Sequence, residues 1–173
     1  MKLPIMRKIL KCFKCALLLV MMSECANRNT YEKTGLEGKA LPEFSMQLMD
    51  SVTNFNTKSV SYDKPVVIFL FSPYCPFCKA QTKDMIENMT SIKNIHFFML
   101  SSYPFHAIKK FYMDYHLDKY SNITVGRDTA LFFSNYIKAI GIPYLAIYGK
   151  DNHLKQGLLG RVSTDKIKHI AFE

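Results

Sequence analysis

The chain contains no tryptophan, so Phe and Tyr carry its aromatic packing. Repeats and low-complexity tracts are absent too. What remains is an ordinary globular composition, 49% apolar over 173 residues, enough for one domain with a sizeable core. No two of its histidines, His96, His106, His116, His153 and His169, lie within five residues of each other, so no paired imidazole ligands are expected and no metal. Basic residues outnumber acidic ones, 23 to 14, yet Lys and Arg never gather into the cluster that nucleic acid demands, which removes nucleic acid as an expected partner. No apolar run approaches the roughly 20 residues of a comfortable membrane span. Cysteine is scarce: there are 5, and Cys12, Cys15 and Cys25 all precede residue 26.

The first 24 residues have the build of a secretory signal. Lys2, Arg7, Lys8, Lys11 and Lys14 make a basic leader, followed by the apolar run Cys15–Met22. Cys12 and Cys15 fall inside this segment and are discarded with it. Removing it takes away 5 basic residues and the acidic Glu24, which leaves about +5 of the chain's formal +9. Residues 25–37 are polar and aperiodic, and read as a tether. The folded domain is expected over residues 38–173.

Within that domain the remaining cysteines, Cys75 and Cys78, stand two residues apart at a particular place. Val66–Phe71 is an unbroken apolar run, as a strand buried on both faces requires. Ser72-Pro73 is a turn signal, and helical spacing begins at Pro76. Cys75 is therefore expected at the start of a helix, where unpaired N–H groups and the helix dipole favour a thiolate. Pro76 suits the first helical position. Cys78 lies one turn further on, close enough to close a disulfide with Cys75. These residues read as a redox dithiol, with Cys75 attacking and Cys78 resolving. A zinc site lacks its second pair of ligands. A structural bridge over so short a loop gains little chain entropy.

Alternation of apolar and polar residues predicts a hairpin ahead of this strand, Phe44–Met49 returning through Phe55–Val60. Beyond it the periodicities predict a helix from Pro76 to about Met89, a strand Ile95–Leu100 and a helix after Tyr103-Pro104. A short strand Ile123–Val125 follows, then a helix capped by Asp128 and running to Lys138. Strands Tyr144–Tyr148 and Leu154–Leu159 form a second hairpin, and Ser163 or Thr164 caps a last helix from Asp165 to about Phe172. The class is α/β, three layers, with a central mixed sheet flanked by helices and an N-terminal β-hairpin.

Strand–Cys75-Pro-Phe-Cys78–helix, then Gly141-Ile142-Pro143 leading a later strand, then a hairpin ending near Gly160, resembles the thioredoxin superfamily. The resemblance covers residues 38–173. It implies that Pro143 follows a cis peptide bond and packs near the dithiol, that Ile142 offers its backbone to substrate, and that Pro76 and Phe77 join them in substrate binding. The hairpin at residues 44–60 and the insert after Pro104 resemble the TlpA/ResA-like redoxin branch. Met22-Ser23-Glu24-Cys25 resembles the lipobox of bacterial lipoproteins, which implies a lipid on Cys25 and a place on the periplasmic side of a membrane, with an uncleaved signal anchor as the alternative. An exported protein with one dithiol suits a compartment that permits disulfides.

The resemblance thus implies a thiol:disulfide oxidoreductase, reducing by analogy with the branch, with oxidation of its substrates as the alternative direction because the Pro-Phe pair between the cysteines does not fix it. Its partners would be protein thiols and disulfides of the cell envelope and an upstream membrane electron donor, and it would use no cofactor beyond its own Cys75–Cys78 disulfide. The chain departs from the pattern at Tyr74, where Trp is frequent, and at Gln81, where the branch often has a Glu that can take a proton. Two rival functions stay open. A thiol peroxidase of the AhpC/TSA type resembles Pro-x-x-x-Thr-x-x-Cys, against which this chain has Ile68 and Ser72 at the first two positions. A non-enzymatic lipoprotein with a structural disulfide is the other.

Overall fold

A computed structural model describes residues 30–59 and 63–173. The expected signal, Cys25 and the end of the first hairpin at Val60 lie outside the described residues.

Eight strands form one mixed sheet: β1 (Thr30–Glu32), β2 (Ser45–Leu48), β3 (Asn54–Asn56), β4 (Val66–Leu70), β5 (His96–Ser101), β6 (Ile123–Arg127), β7 (Tyr144–Tyr148) and β8 (Leu154–Leu159). Their order across the sheet is β1-β8-β7-β4-β5-β6-β2-β3. The middle three, β4, β5 and β6, run parallel, while β7 and β2 pair antiparallel on either side of them. The helices are α1 (Pro76–Glu87), α2 (Met89–Ile92), α3 (Phe105–Asp114), α4 (Phe132–Ile137) and α5 (Thr164–Phe172).

The two-residue period of a strand divides the core in two. Val67 and Phe69 of β4, Phe97 and Met99 of β5, and Leu145 and Ile147 of β7 face one side, where Met85 of α1, Ile108 and Phe111 of α3 and Ile167 of α5 cover them. Val66, Ile68 and Leu70, with Phe98, Leu100 and Ala146, face the other side against Phe133 and Ile137 of α4 and against Phe44. All five β4 residues are buried, as the apolar run predicts. The expected three layers are present.

Three elements differ from expectation. The tether does not reach residue 37. Thr30–Glu32 pairs antiparallel with Leu159–Gly157 of β8, and Glu37 accepts hydrogen bonds from the Thr34 and Gly35 N–H groups at 2.8 and 3.0 Å. A free sheet edge supplies partners to any extended backbone, whatever its side chains. The return of the first hairpin is short, because Thr57 leaves the ladder to start a 3₁₀ turn. Its hydroxyl accepts from the Phe44 N–H at 3.0 Å.

The helix expected from Asp128 begins instead at Phe132, after Leu131 in a left-handed conformation. Asp128 still caps it, from four residues upstream. Its two carboxylate oxygens accept from the Phe132 and Phe133 N–H groups at 3.0 and 2.9 Å. These bonds sit at the end of the sheet that carries the dithiol. Asp128→Ala should cost about 2–4 kcal/mol in urea unfolding and Asp128→Asn about half as much, since Asn keeps an oxygen acceptor but no charge. An unchanged midpoint in Asp128→Ala would show that the cap contributes nothing.

Candidate active site

Parallel β4, β5 and β6 end together, so the segments that follow them cluster at one end of the sheet. Antiparallel β7 starts at that same end, because Tyr144 pairs with Leu70. The turn after β4 and the loop before β7 thereby become neighbours across the sheet end.

The turn is built by its own polar groups. Ser72 is buried, its C=O accepts from the Cys75 N–H at 3.2 Å, and its Oγ accepts from the Tyr74 N–H at 3.2 Å. Cys75 is the residue before the first turn of α1, with extended dihedrals (φ −72°, ψ 120°), and Pro76 follows in that first turn. No side chain caps this helix start, so its free N–H groups are left facing the Cys75 sulfur's end of the helix.

The two sulfurs live in unlike surroundings. Cys75 is partly exposed and Cys78 fully buried in the core under α1, and both thiols are free. Burial pushes the Cys78 thiol up to about 12. A hydrogen bond with the Ser72 backbone opposes that push, while a side-chain hydrogen bond with Cys75 and the Cys75 charge add to it. The geometry thus pairs one reachable sulfur with one that is sealed from water and holds its proton.

The Ile142–Pro143 peptide bond is cis, as the resemblance implied. Pro143 is buried, and its C=O accepts from the Gly160 N–H at 2.8 Å, which ties the loop to the end of β8. Gly160 has φ +90°, a conformation that suits glycine. Ile142 is 40% exposed and Phe77 64% exposed, and Pro76 is exposed beside them. Tyr74 and Tyr103, from the turns after β4 and β5, meet edge to face with ring centroids 5.7 Å apart. A groove of about 290 Å³ opens between that second turn and the Ile140–Ile142 loop. Of the sites expected from sequence, Cys75, Cys78, Pro76, Phe77, Ile142 and Pro143 therefore gather at one end of the sheet. Tyr103 was missed; its only signal was the Pro104 that follows it and breaks the strand.

Gln81, the departure from the resembled branch noted above, has a fully engaged amide. Its Nε2 donates to the Val162 C=O at 2.9 Å, and its Oε1 accepts from the Val162 N–H at 2.7 Å. Both groups are buried. The side chain therefore fastens α1 to the segment before α5, a link reinforced where the Thr164 hydroxyl donates to Asp84 Oδ2 at 2.6 Å. An amide satisfies both partners at any pH, whereas an ionised carboxylate cannot donate to the carbonyl.

No protein-family model matches the chain, and no curated protein matches it. Solved structures do. A secreted Mycobacterium tuberculosis disulfide oxidoreductase homologous to E. coli DsbE superposes with a TM-score of 0.60 at 19% identity, over 74% of this chain and 93% of that one. The exposed lipoprotein thioredoxin of Streptococcus pneumoniae gives 0.59 at 18% identity, over 74% and 96%. StoA from Bacillus subtilis gives 0.57 at 12% identity, over 76% and 98%. The chain has the thioredoxin-like fold. Within that fold this chain places Cys75 and Cys78 at a strand–helix junction and a cis proline in the loop at the same end of the sheet.

Gln81→Glu tests the amide clamp. A buried carboxylate facing the Val162 carbonyl keeps its proton to higher pH in the fold than in the unfolded chain. Stability relative to the unaltered chain is then retained below the unfolded value near 4.3 and lost as pH rises through the higher folded value. The variant should be destabilised by about 2–4 kcal/mol at pH 7 and much less at pH 4.5. Equal destabilisation at both pH values would contradict the clamp.

Proposed function

We propose that this chain is a membrane-anchored thiol–disulfide oxidoreductase that reduces disulfides of exported polypeptides through Cys75 and Cys78. The observation that carries this reading is the difference between the two sulfurs, one partly exposed at a helix start and one buried with its thiol pushed up to about 12. The likeness of fold to a secreted disulfide oxidoreductase and to an exposed lipoprotein thioredoxin supports it.

The reaction follows from that difference. The Cys75 thiolate attacks one sulfur of a substrate disulfide, and a Cys75–substrate mixed disulfide forms as the first substrate thiol leaves. Cys78 then attacks the Cys75 sulfur. The Cys75–Cys78 disulfide forms, the second substrate thiol leaves with the proton Cys78 gave up, and two electrons have passed to the substrate. While Cys75 is free, its charge and hydrogen bond help hold the proton on Cys78. Once Cys75 is in the mixed disulfide, that charge is gone and only burial still opposes ionisation. Cys78 thus becomes a better nucleophile at the moment it is needed.

With Gln81 committed to Val162, the departing substrate thiolate is the base at hand for the Cys78 proton. Exposed apolar groups around the dithiol (Tyr74, Phe77, Tyr103, Ile140 and Ile142) suit a polypeptide substrate better than a small solute. Ile142 and Pro143 would align the substrate backbone, with Pro76 and Phe77 at its flank.

The anchored, outward-facing location rests on the basic leader, the short apolar run and Cys25 as a lipid-bearing residue. No helix of the described residues is long and apolar enough to cross a membrane. Electrons for another turnover would come from a donor in that membrane.

Insulin reduction under a dithiol reductant tests the activity. The unaltered chain should accelerate it, and Cys75→Ser should fall to background. Cys78→Ala should accumulate mixed disulfides with envelope proteins, because nothing then resolves them. Consumption of hydrogen peroxide with no insulin reduction would favour the peroxidase reading, and full activity in Cys75→Ser would leave the pair a structural role.

A further inference from the structure

Two unlike depressions border the segment that leads from β4 into α1, one touching Phe71 and the other Pro73 and Tyr74. One is the groove beside the cis proline loop, whose only charged lining residue, Asp128, is buried and spent on capping α4. The other opens on the far side of Tyr74. It has a volume of about 430 Å³, and Lys79, His106, Lys110, Phe111 and Tyr115 are among the residues that line it. Its outer wall is α3, the helix of the insert between β5 and β6, so the sheet and α1 do not make it by themselves.

The floor of this second groove is apolar. Ala107 and Phe111 are buried, and the Tyr115 ring packs on Phe111 at 4.6 Å between centroids. The charge around it is one-sided. Asp114, the only acidic lining residue, is gripped through both oxygens by Lys110 Nζ at 2.8 and 2.9 Å. Lys79 and His106 are exposed, and among the described residues neither has an ion-pair or side-chain hydrogen-bond partner. Lys79 follows Cys78 directly, and its N–H donates to the Cys75 C=O at 3.0 Å. Its backbone is therefore fixed one helical turn beyond Cys75, and its side chain lines this groove beside Tyr74. An uncompensated cation and an aromatic floor in one groove, beside the turn that carries Cys75, are complementary to an acidic residue flanked by an apolar one.

We propose that this groove selects acidic polypeptides: the segment flanking the substrate cysteine crosses Tyr74, Lys79 and His106 hold an Asp or Glu side chain, and the Phe111–Tyr115 floor takes an apolar neighbour. This rests on Cys75 being the sulfur that engages substrate. Lys79 and His106 act here in binding and make no bond to the reacting atoms.

The test uses two peptides with the same internal disulfide, one flanked by Asp-Asp-Phe and one by Lys-Lys-Phe, and hydroxyethyl disulfide as an uncharged small substrate. The reduced chain should favour the acidic peptide in kcat/KM by about 5- to 10-fold at low ionic strength, through KM. That preference should shrink to about 2-fold in 0.5 M salt. Lys79→Glu combined with His106→Gln should bring the ratio to about 1 or below. If the double variant does not fold, the salt series on the unaltered chain decides by itself. Equal rates for the two peptides, or a preference that salt and substitution leave alone, would overturn the proposal while leaving the redox reading in place. Failure with both peptides and with hydroxyethyl disulfide would remove the redox reading, and the proposal with it.

Discussion

Everything at this site depends on a junction where a strand buried on both faces turns directly into a helix. Val66–Leu70 is fixed on one side by β5 and on the other by β7, with side chains sunk into both cores. Such a strand cannot shift without emptying two hydrophobic layers at once. Its end is therefore a rigid point, and the turn of Ser72 to Cys75 starts α1 from it in a set direction. One sulfur falls at the helix start and the other, a turn later, falls on the face that the core covers. Helix geometry alone makes two neighbouring cysteines chemically different.

The rest of the molecule maintains that difference. Gln81 and Asp84 tie α1 to the start of α5 through Val162 and Thr164, which keeps the helix seated over Cys78. The Gly160–Pro143 hydrogen bond holds the cis proline loop at the start of β7. Asp128 organises the start of α4, next to the groove on that loop's other side. Side chains whose chemistry could have served a reaction are spent on fixing backbone. Gln81 is the clearest case, because its donated hydrogen bond to the Val162 C=O is one that an ionised carboxylate could not make.

Much of this was legible from residues alone, for physical reasons that differ by element. The core strands were readable because burial on both faces demands continuous apolar side chains, and Val66–Phe71 can be little else. The dithiol was readable because its spacing, the proline after Cys75 and the preceding turn all agree. The cis bond before Pro143 came from resemblance and from nothing local. Strand β1 was illegible, since Thr30–Glu32 is held by backbone pairing to β8 and its side chains carry no pattern. The delayed start of α4 was hidden because Asp128 caps at a longer reach than the usual one. The groove of Lys79 and His106 joins residues from two helices that only the insert brings together.

The central claim is that one sulfur is available and the other sealed. Timed alkylation of the reduced full chain with iodoacetamide at pH 8, read by peptide mass spectrometry, addresses it most directly. Modification of Cys75 alone, with Cys78 labelled only after unfolding or as the pH nears its value of about 12, is the predicted result. Equal labelling of Cys75 and Cys78 in the folded protein would contradict it.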